Sequence, residues 1–281
     1  MGLSGFFPEA TKGMQVIKRR LSEFQGEQIG VDASIWLHTF CNNEWSALCL
    51  TSDPVYVPLS ILERFKTQHD ILTKLNITPI YVFDGCRHPM KSIARAKRDD
   101  TVEKAKTWLS NYYSNAKTNI INDNQRKESL KKLKAISYPT NEVHDMIISW
   151  MQEAGIEYIC ALFEAKWQLV SMESKGIIAA IMTRDGDHVI LGAQKLIRNV
   201  WWNDKEYMPF HRSWLQQTSN KISPFIEYLP ELAAFWGCDY IDHLRSDGPV
   251  TIINNVLPAY LQCENDISAQ DDFHIVDMLE N

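Results

Sequence analysis

Acidic residues close predicted secondary-structure elements at four widely separated places in the chain. They are Val31-Asp32, Phe83-Asp84-Gly85 and Asp185-Gly186-Asp187, each after a strand, and Gly237-Cys238-Asp239-Tyr240 after a helix. The carboxyl ends of parallel strands meet at one edge of a sheet, where α/β folds place their ligands. Carboxylates gathered there repel one another, and a bound divalent cation relieves that repulsion. The pattern therefore predicts an α/β fold with a magnesium site, and with it phosphate chemistry.

Short buried strands alternate with amphipathic helices along most of the chain. The predicted strands are 28–32, 80–83, 157–160, 178–182 and 196–202, and the predicted helices are 34–40, 58–75, 141–154, 164–174, 230–236 and 250–260. Residues 14–24 also alternate basic and apolar residues at helical spacing. A helix that links two neighbouring strands forms a βαβ unit, in which the strands are parallel. We therefore expect a mostly parallel central sheet with helices on both faces.

Residues 87–135 form a basic segment in an otherwise acidic chain. The segment contains 13 Lys and Arg against 5 Asp and Glu, whereas the whole chain has a formal net charge of −6. Its weak periodicity predicts two helices that project from the sheet, joined by a mobile link near 115–124. A basic arm beside an acidic cleft suits DNA binding. A solvated lysine-rich helix would explain the same charges.

The cysteines and the apolar runs indicate the cellular compartment of the protein. The six cysteines show no C-x-x-C spacing, which favours reduced thiols of an intracellular protein over zinc ligands or disulfides. No secretory signal and no apolar run of membrane-spanning length is present. A myristoylation motif is excluded because Phe6 stands where that motif needs Ser or Thr.

Six acids lie at the ends of predicted elements and together suit a two-cation centre. They are Asp32, Asp84, Glu164, Asp185, Asp187 and Asp239. Two divalent ions about 4 Å apart can orient a water, polarise a phosphodiester and stabilise the leaving oxygen. Each acid taken alone is explained more simply as a helix cap or a turn residue. Their joint placement favours the metal site.

Six motifs in this chain carry a family resemblance. They are Met1-Gly2-Leu3-Ser4-Gly5-Phe6-Phe7, Ile29-Gly30-Val31-Asp32-Ala33-Ser34 with Trp36-Leu37-His38, Pro79–Gly85 with Cys86, Phe163-Glu164-Ala165, Thr183–Asp187 and Gly237–Tyr240. These motifs and the spacing from Asp187 to Asp239 resemble the flap endonuclease and exonuclease 1 branch of the structure-specific 5′-nuclease (XPG-like) superfamily. The similarity covers roughly residues 1–260, and details such as Trp36-Leu37-His38 lean toward exonuclease 1.

The resemblance implies a single 5′-nuclease domain over residues 1–262. Its parts would be an N-terminal block at about 1–100, a helical arch at about 88–137, an internal block at about 138–240 and a degenerate helix–two-turn–helix at about 239–262, followed by an acidic tail at 263–281. The implied activity is metal-dependent hydrolysis of DNA at a 5′ end or flap, with RNA as an alternative substrate. A nuclear DNA-repair monomer is expected, and the tail shows no recognisable sliding-clamp peptide.

The resemblance also gives individual residues their roles. The six acids would bind two Mg²⁺ ions, directly or through water, with Mn²⁺ as an alternative, and Asp84 and Asp185 would be central to catalysis. Lys91 and Arg98 would clamp the scissile phosphate, the first as a point charge and the second as a bidentate fork. The nucleic acid would be contacted by Gly2, His38, Arg95, Lys97 and Gly248. A partly buried helix histidine is the alternative for His38.

Lys166 departs from the family pattern, since Glu164-Ala165-Lys166 stands where relatives carry Glu-Ala-Glu or Glu-Ala-Asp. An ammonium in place of a carboxylate is a large perturbation beside bound cations. If Lys166 fills one metal position with its own charge, we expect a DNA-binding or scaffolding protein with little turnover. If it swings outward and leaves a one-metal site, we expect a slow or altered nuclease.

Two further departures are Arg184 and the loop 246–249. Arg184 replaces an acid that the family usually carries before the acidic pair, which makes the site more cationic. The family uses a glycine-rich loop to bind duplex backbone and a potassium ion. In this chain the corresponding sequence is Leu244-Arg245-Ser246-Asp247-Gly248-Pro249, which has one glycine and an added carboxylate. This difference argues against a K⁺ site.

Overall fold

A seven-stranded sheet organises the part of the chain that the computed structural model describes, residues 11, 17–43, 59–116, 122–217, 222–241 and 251–268. The strands are β1 (Arg19–Arg20), β2 (Gln28–Asp32), β3 (Thr78–Phe83), β4 (Tyr158–Cys160), β5 (Ile181–Met182), β6 (Lys195–Trp201) and β7 (Glu206–His211). Their order across the sheet is β1-β7-β6-β5-β2-β3-β4. The five strands from β6 to β4 are mutually parallel, which confirms the predicted α/β fold with a mostly parallel sheet.

The described residues form ten α-helices. They are α1 (Ala33–Asn43), α2 (Leu59–Lys74), α3 (Ser92–Ala116), α4 (Asp123–Ile136), α5 (Asn141–Glu153), α6 (Ala165–Ser174), α7 (Asp187–Ile190), α8 (Trp214–Gln217), α9 (Leu229–Trp236) and α10 (Leu257–Ser268). Short 3₁₀ segments lie at Leu21–Phe24, Pro89–Lys91 and Ser223–Tyr228, and a π-helical turn at Ile252–Val256 precedes α10. None of the helices in the described ranges has the length and apolarity to cross a bilayer.

Side chains on successive strand residues point to opposite faces of the sheet and build two separate cores. Tyr81 and Phe83 of β3 pack on one face with α2 and α5, where Phe65 and Ile147 are fully buried. Val82 packs on the other face with α6, α9 and α10. Helices therefore cover both faces, as predicted.

An antiparallel edge was not predicted from the sequence. Strand β7 pairs antiparallel with β6. Strand β1 in turn pairs antiparallel with β7, with Arg19 opposite Tyr207 and Arg20 opposite Glu206. Pro209 is tolerated in β7 because it lies beyond the residues that pair with β1, where its missing N–H is not needed. The helical spacing in 14–24 was misleading, since Arg19–Arg20 form a strand and Leu21–Phe24 a 3₁₀ turn.

Helices α3 and α4 form a pair that stands apart from both cores. They pack against each other, and the buried side chains Ala105, Leu109 and Leu133 belong to neither core cluster. An Asn122–Gln125 capping box begins α4. The two predicted helices of the basic segment are thus present, while residues 117–121, within the predicted link, lie outside the described residues.

Candidate active site

A cavity of ≈ 220 Å³ opens at the carboxyl ends of β2, β3 and β5, beside the start of α3. Five of the six acids singled out in the sequence line it, namely Asp32, Asp84, Glu164, Asp185 and Asp239. The sixth, Asp187, is buried and reaches Lys166, which also lines the cavity. The parallel strands bring Asp32, Asp84 and Asp185 together because these strands end at the same edge of the sheet. Glu164 at the start of α6 and Asp239 after α9 reach the same cavity from helix ends.

Three of the acids accept hydrogen bonds from backbone N–H groups at the starts of helices. Asp32 caps the helix that directly follows it, as the simpler interpretation proposed, whereas Asp84 reaches a helix that is distant in the chain. Asp32 Oδ1 accepts from Ile35 N of α1 at 3.1 Å, and Asp84 Oδ1 accepts from Ala165 N of α6 at 2.8 Å. Asp185 Oδ1 accepts from Asp187 N at the start of α7 at 3.2 Å. Each cap uses one carboxylate oxygen and leaves the second for another partner. Capping therefore fixes these side chains at the cavity without excluding a cation.

Lysine and arginine side chains neutralise the other three acids. Lys91 Nζ lies 2.7 Å from Glu164 Oε1 and 3.1 Å from Asp239 Oδ2. Arg98 reaches the same Asp239 oxygen at 3.1 Å. Partial burial opposes ionisation of Asp239, but the charges of Lys91 and Arg98 outweigh it and hold its pKa below the ordinary value. The two residues expected to clamp a phosphate are thus engaged with carboxylates in this structure.

Lys166 points into the centre and does not swing outward. Its Nζ lies 2.6 Å from Asp187 Oδ2 and 3.3 Å from Glu164 Oε2, and the side chain is 7% exposed. Burial disfavours its charge, yet the carboxylates of Asp187 and Glu164 raise the pKa of Lys166 above its ordinary value. The ammonium is therefore charged and fully engaged between two of the expected metal ligands.

The cavity consequently has two halves of different charge balance. In the open half, formed by Asp32, Asp84 and Asp185, no acid makes an ion pair with a lysine or arginine of the described residues. In the paired half, formed by Glu164, Asp187 and Asp239, each acid makes at least one. Burial and the charges of Asp84 and Asp185 raise the pKa of Asp32 to about 7. Burial is the largest cause of this shift, and the two neighbouring carboxylates add to it.

Tyr240 and Trp167 are functional candidates that the sequence did not single out. Tyr240 donates its hydroxyl hydrogen to Glu164 Oε2 at 2.8 Å and accepts from Trp167 Nε1 at 3.0 Å. The ammonium groups of Lys91 and Lys166 lie 5.0 and 5.3 Å from the Tyr240 ring centroid. The adjacency of Tyr240 to Asp239 and of Trp167 to Lys166 was the available signal.

Thr183 and His188 support the buried acid Asp32. Thr183 Oγ1 donates to Asp32 Oδ2 at 3.0 Å, and His188 Nε2 lies 3.7 Å from the same oxygen. Burial lowers the pKa of His188, so the ring is neutral. Neither ring nitrogen of His188 has a hydrogen-bond partner among the described residues. Neither residue carried a sequence signal beyond its place beside the acidic pair.

The residues expected to contact nucleic acid have different positions. His38 is exposed and lines the cavity, and Arg95 lines it while donating to the backbone carbonyl of His88. Lys97 lies on the exposed side of α3. Gly2, Gly248 and the loop 246–249 lie outside the described residues.

Arg184 does not line the cavity that holds the acids, contrary to the expectation that it makes the site more cationic. Its side chain is exposed and lines a second cavity of ≈ 370 Å³ between α1, α2 and β6, together with Trp36, Trp201 and Trp202. The chain turns between Thr183 and Asp185, so that Asp185 lines the first cavity and Arg184 the second.

The donor set does not fit two divalent ions. Lys166 and Lys91 already supply the positive charge in the paired half, where a second ion would lie. The open half has the carboxylate oxygens that Mg²⁺ and Mn²⁺ prefer, and no lysine or arginine of the residues that the structure describes pairs with them, so its chemistry suits one ion. As the side chains stand, no three His, Cys, Asp or Glu within the described ranges are close enough to hold a metal. Binding would therefore require the open-half carboxylates to draw together.

Comparison with known proteins places this geometry in a family. Residues 1–105 match the XPG N-terminal domain and residues 155–239 match the XPG I-region. Flap endonuclease 1 of Entamoeba histolytica is 24% identical over 248 residues, covering 88% of this chain and 63% of the relative. Exodeoxyribonuclease 1 of Schizosaccharomyces pombe is 28% identical over 262 residues, covering 90% of this chain and 41% of the relative.

A solved structure has the same fold. The catalytic core of Rad2 in complex with DNA substrate aligns with a TM-score of 0.61 and 20% sequence identity, covering 98% of this chain and 77% of that chain. The present chain spans less than two thirds of the length of the two curated relatives. The two matched regions, the parallel sheet and the acid-lined cavity agree with one another, and the chain belongs to the XPG-like superfamily, with flap endonuclease 1 and exodeoxyribonuclease 1 among its relatives.

Proposed function

We propose that this chain is a cation-dependent 5′-nuclease that hydrolyses DNA phosphodiesters at a 5′ end or flap. The observation that carries the proposal is the charge arrangement of the cavity. Three carboxylates that form no ion pair with a lysine or arginine in the described part of the chain, Asp32, Asp84 and Asp185, share it with Lys91 and Arg98 at the base of a basic helical pair. A cation and a phosphate are the ligands that such a combination attracts.

Asp32, Asp84 and Asp185 would hold the divalent ion, which supplies an activated water and neutralises charge on the phosphate. Lys91 and Arg98 would bind the non-bridging phosphate oxygens, because a phosphate can compete with Glu164 and Asp239 for the same donors. Tyr240 and Trp167 would keep Glu164 in place while Lys91 exchanges partners. Helices α3 and α4 would cover the cavity as a lid over the substrate strand.

The proposal includes a substrate, a cellular compartment, an oligomeric state and a cofactor. DNA with a 5′ end or flap is the proposed partner, since relatives named flap endonuclease and exodeoxyribonuclease cover most of this chain, and RNA is the alternative. We propose that the protein is a nuclear monomer and that its nuclease domain spans residues 1–262. Mg²⁺ is the proposed cofactor, with Mn²⁺ as a substitute.

Cleavage of a 5′-labelled flap and of a blunt duplex, with Mg²⁺ or Mn²⁺, tests the activity directly. Lys91→Ala is expected to lower kcat by roughly 10- to 100-fold, since one charge-assisted phosphate contact contributes about 1.5–3 kcal/mol and each 1.36 kcal/mol is a factor of ten. Lys66→Ala, which removes a partly exposed lysine paired with Glu63 on α2, outside the cavity, is the matched control and should leave cleavage unchanged. Absence of cleavage by the unaltered protein with both metals would refute the proposal.

A second function is favoured by one observation, the inward position of Lys166. With its ammonium between Asp187 and Glu164, the chain could bind DNA or scaffold other proteins with little turnover. The variant Lys166→Asp separates the two functions. A gain of 100-fold or more in cleavage would identify the natural sequence as the impaired form, whereas equal or lower cleavage favours the nuclease proposal. Lys175→Asp, at the exposed end of the same helix, is the control for the change in charge.

A further inference from the structure

The ammonium of Lys166 lies in a well-defined binding site formed by several side chains. It is buried at the start of α6, with carboxylate oxygens of Asp187 and Glu164 at 2.6 and 3.3 Å and the Tyr240 ring centroid at 5.3 Å. Two carboxylates and an aromatic face surround the Nζ atom. These are groups that bind a cation.

The neighbouring residues hold this arrangement in place. Trp167 Nε1 donates to Tyr240 Oη, and Tyr240 Oη donates to the Glu164 oxygen that also contacts Lys166. The other Glu164 oxygen is held by Lys91 at 2.7 Å. Both carboxylate oxygens of Glu164 are therefore in contact with protein groups, one with Lys91 and the other with Lys166 and Tyr240. A metal ion in the paired half would have to displace a charged lysine from a buried site.

We infer that the Lys166 ammonium takes the place of one of the two divalent cations that six carboxylates would otherwise hold, so that the chain has a single exchangeable cation site in the open half. The fixed charge keeps Asp187 and Glu164 together without an ion. It contributes one positive charge where a divalent ion would contribute two. The inference rests on the proposed function in one respect, the identity of the open-half ligand as a divalent cation. The expected effect of removing Lys166 does not depend on the proposed function.

Counting bound Mn²⁺ in the absence of DNA tests the inference without using cleavage. Electron paramagnetic resonance of free Mn²⁺, together with isothermal titration, gives the number of ions per folded chain. The unaltered protein is expected to bind one. Lys166→Asp and Lys166→Ala are each expected to bind one ion more than the unaltered protein, with the tighter second site in Lys166→Asp because it adds a ligand. Circular dichroism establishes folding, and Lys166→Ala keeps the test decisive if Lys166→Asp does not fold.

The possible outcomes separate this inference from the proposed function. Two ions on the unaltered protein, or no added ion in a folded Lys166 variant, would overturn the inference. No ion on the unaltered protein with one gained in the variants would leave Lys166 as the stand-in and refute the metal-dependent nuclease. Lys175→Asp makes the same charge change on the exposed end of α6 and is expected to bind as many ions as the unaltered protein.

Discussion

Replacing Asp185 by asparagine is expected to abolish cation-dependent DNA cleavage while the fold remains intact. Asp185 Oδ1 accepts a hydrogen bond from Asp187 N, and an asparagine oxygen can accept the same bond. The variant removes one of the three negative charges of the open half, where the cation would bind. Metal-ion stabilisation of a phosphoryl transition state is worth several kcal/mol, so the loss in kcat is on the order of 10³-fold or more.

Single-turnover cleavage of the labelled flap by Asp185→Asn and by Asp145→Asn measures this effect. Asp145 is an exposed acid on α5, and its asparagine variant makes the same chemical change outside the cavity. Mn²⁺ affinity should fall in Asp185→Asn and stay constant in Asp145→Asn. Cleavage by Asp185→Asn at the rate of the unaltered protein would remove Asp185 from the site and with it the open half as the cation site.

Replacing Gly85 by alanine is expected to destabilise the fold by about 3 kcal/mol or more, the upper range for overpacking. An added Cβ would lie 1.7 Å from the carbonyl oxygen of Ala161 and 2.9 Å from that of Leu162. Both are backbone atoms, which have no rotamer to move to. Gly85 N and Cys86 N donate to Phe163 O and Leu162 O at 2.6 and 2.9 Å, so the two segments are fixed against each other.

Relief of this clash would separate the segment that carries Asp84 from the segment that leads to Glu164. Gly85→Ala should therefore lose both stability, measured by urea unfolding, and Mn²⁺ binding. Gly30→Ala is the matched control, because its added Cβ would lie 2.5 Å from the terminal methyl groups of Ile178 and Leu169. Those side chains can shift, so we expect a cost of about 1–2 kcal/mol there. Equal effects of the two substitutions would contradict the close approach at Gly85.

The sequence predicted the parts of the fold that local patterns specify. Apolar runs of strand length and helical periodicity located the five parallel strands and the helices that cover them. Asn76 follows α2 with φ 55°, and Gly155 follows α5 with φ 65°, a left-handed conformation that asparagine and glycine favour after a helix. Strands β1 and β7 were missed because Arg19–Arg20 and Glu206–His211 become strands through pairing at the sheet edge. Such pairing depends on partners distant in the chain.

The candidate site was predictable to a similar degree. The acids could be identified from their places at the ends of predicted elements, and the structure brings five of them to one cavity. A cap or turn role was foreseen as the alternative, and the hydrogen bonds of Asp32 and Asp185 show that a single carboxylate can serve that role and line the cavity as well. The contributions of Tyr240, Trp167 and Thr183 depend on contacts between residues far apart in the chain, which no local pattern reveals.

By itself the sequence determined that the acids after β2, β3 and β5 lie at one edge of a parallel sheet, because strands that run in the same direction end at the same edge. It also showed that a lysine stands among them. The tertiary structure alone decided where that lysine points. Pairing of β2 with β5 brings Asp187 beside the start of α6. The long side chain of Lys166 points inward, where its ammonium contacts the carboxylates of Asp187 and Glu164. A flexible ammonium goes to the strongest negative field within its reach, and that field exists only once the chain has folded.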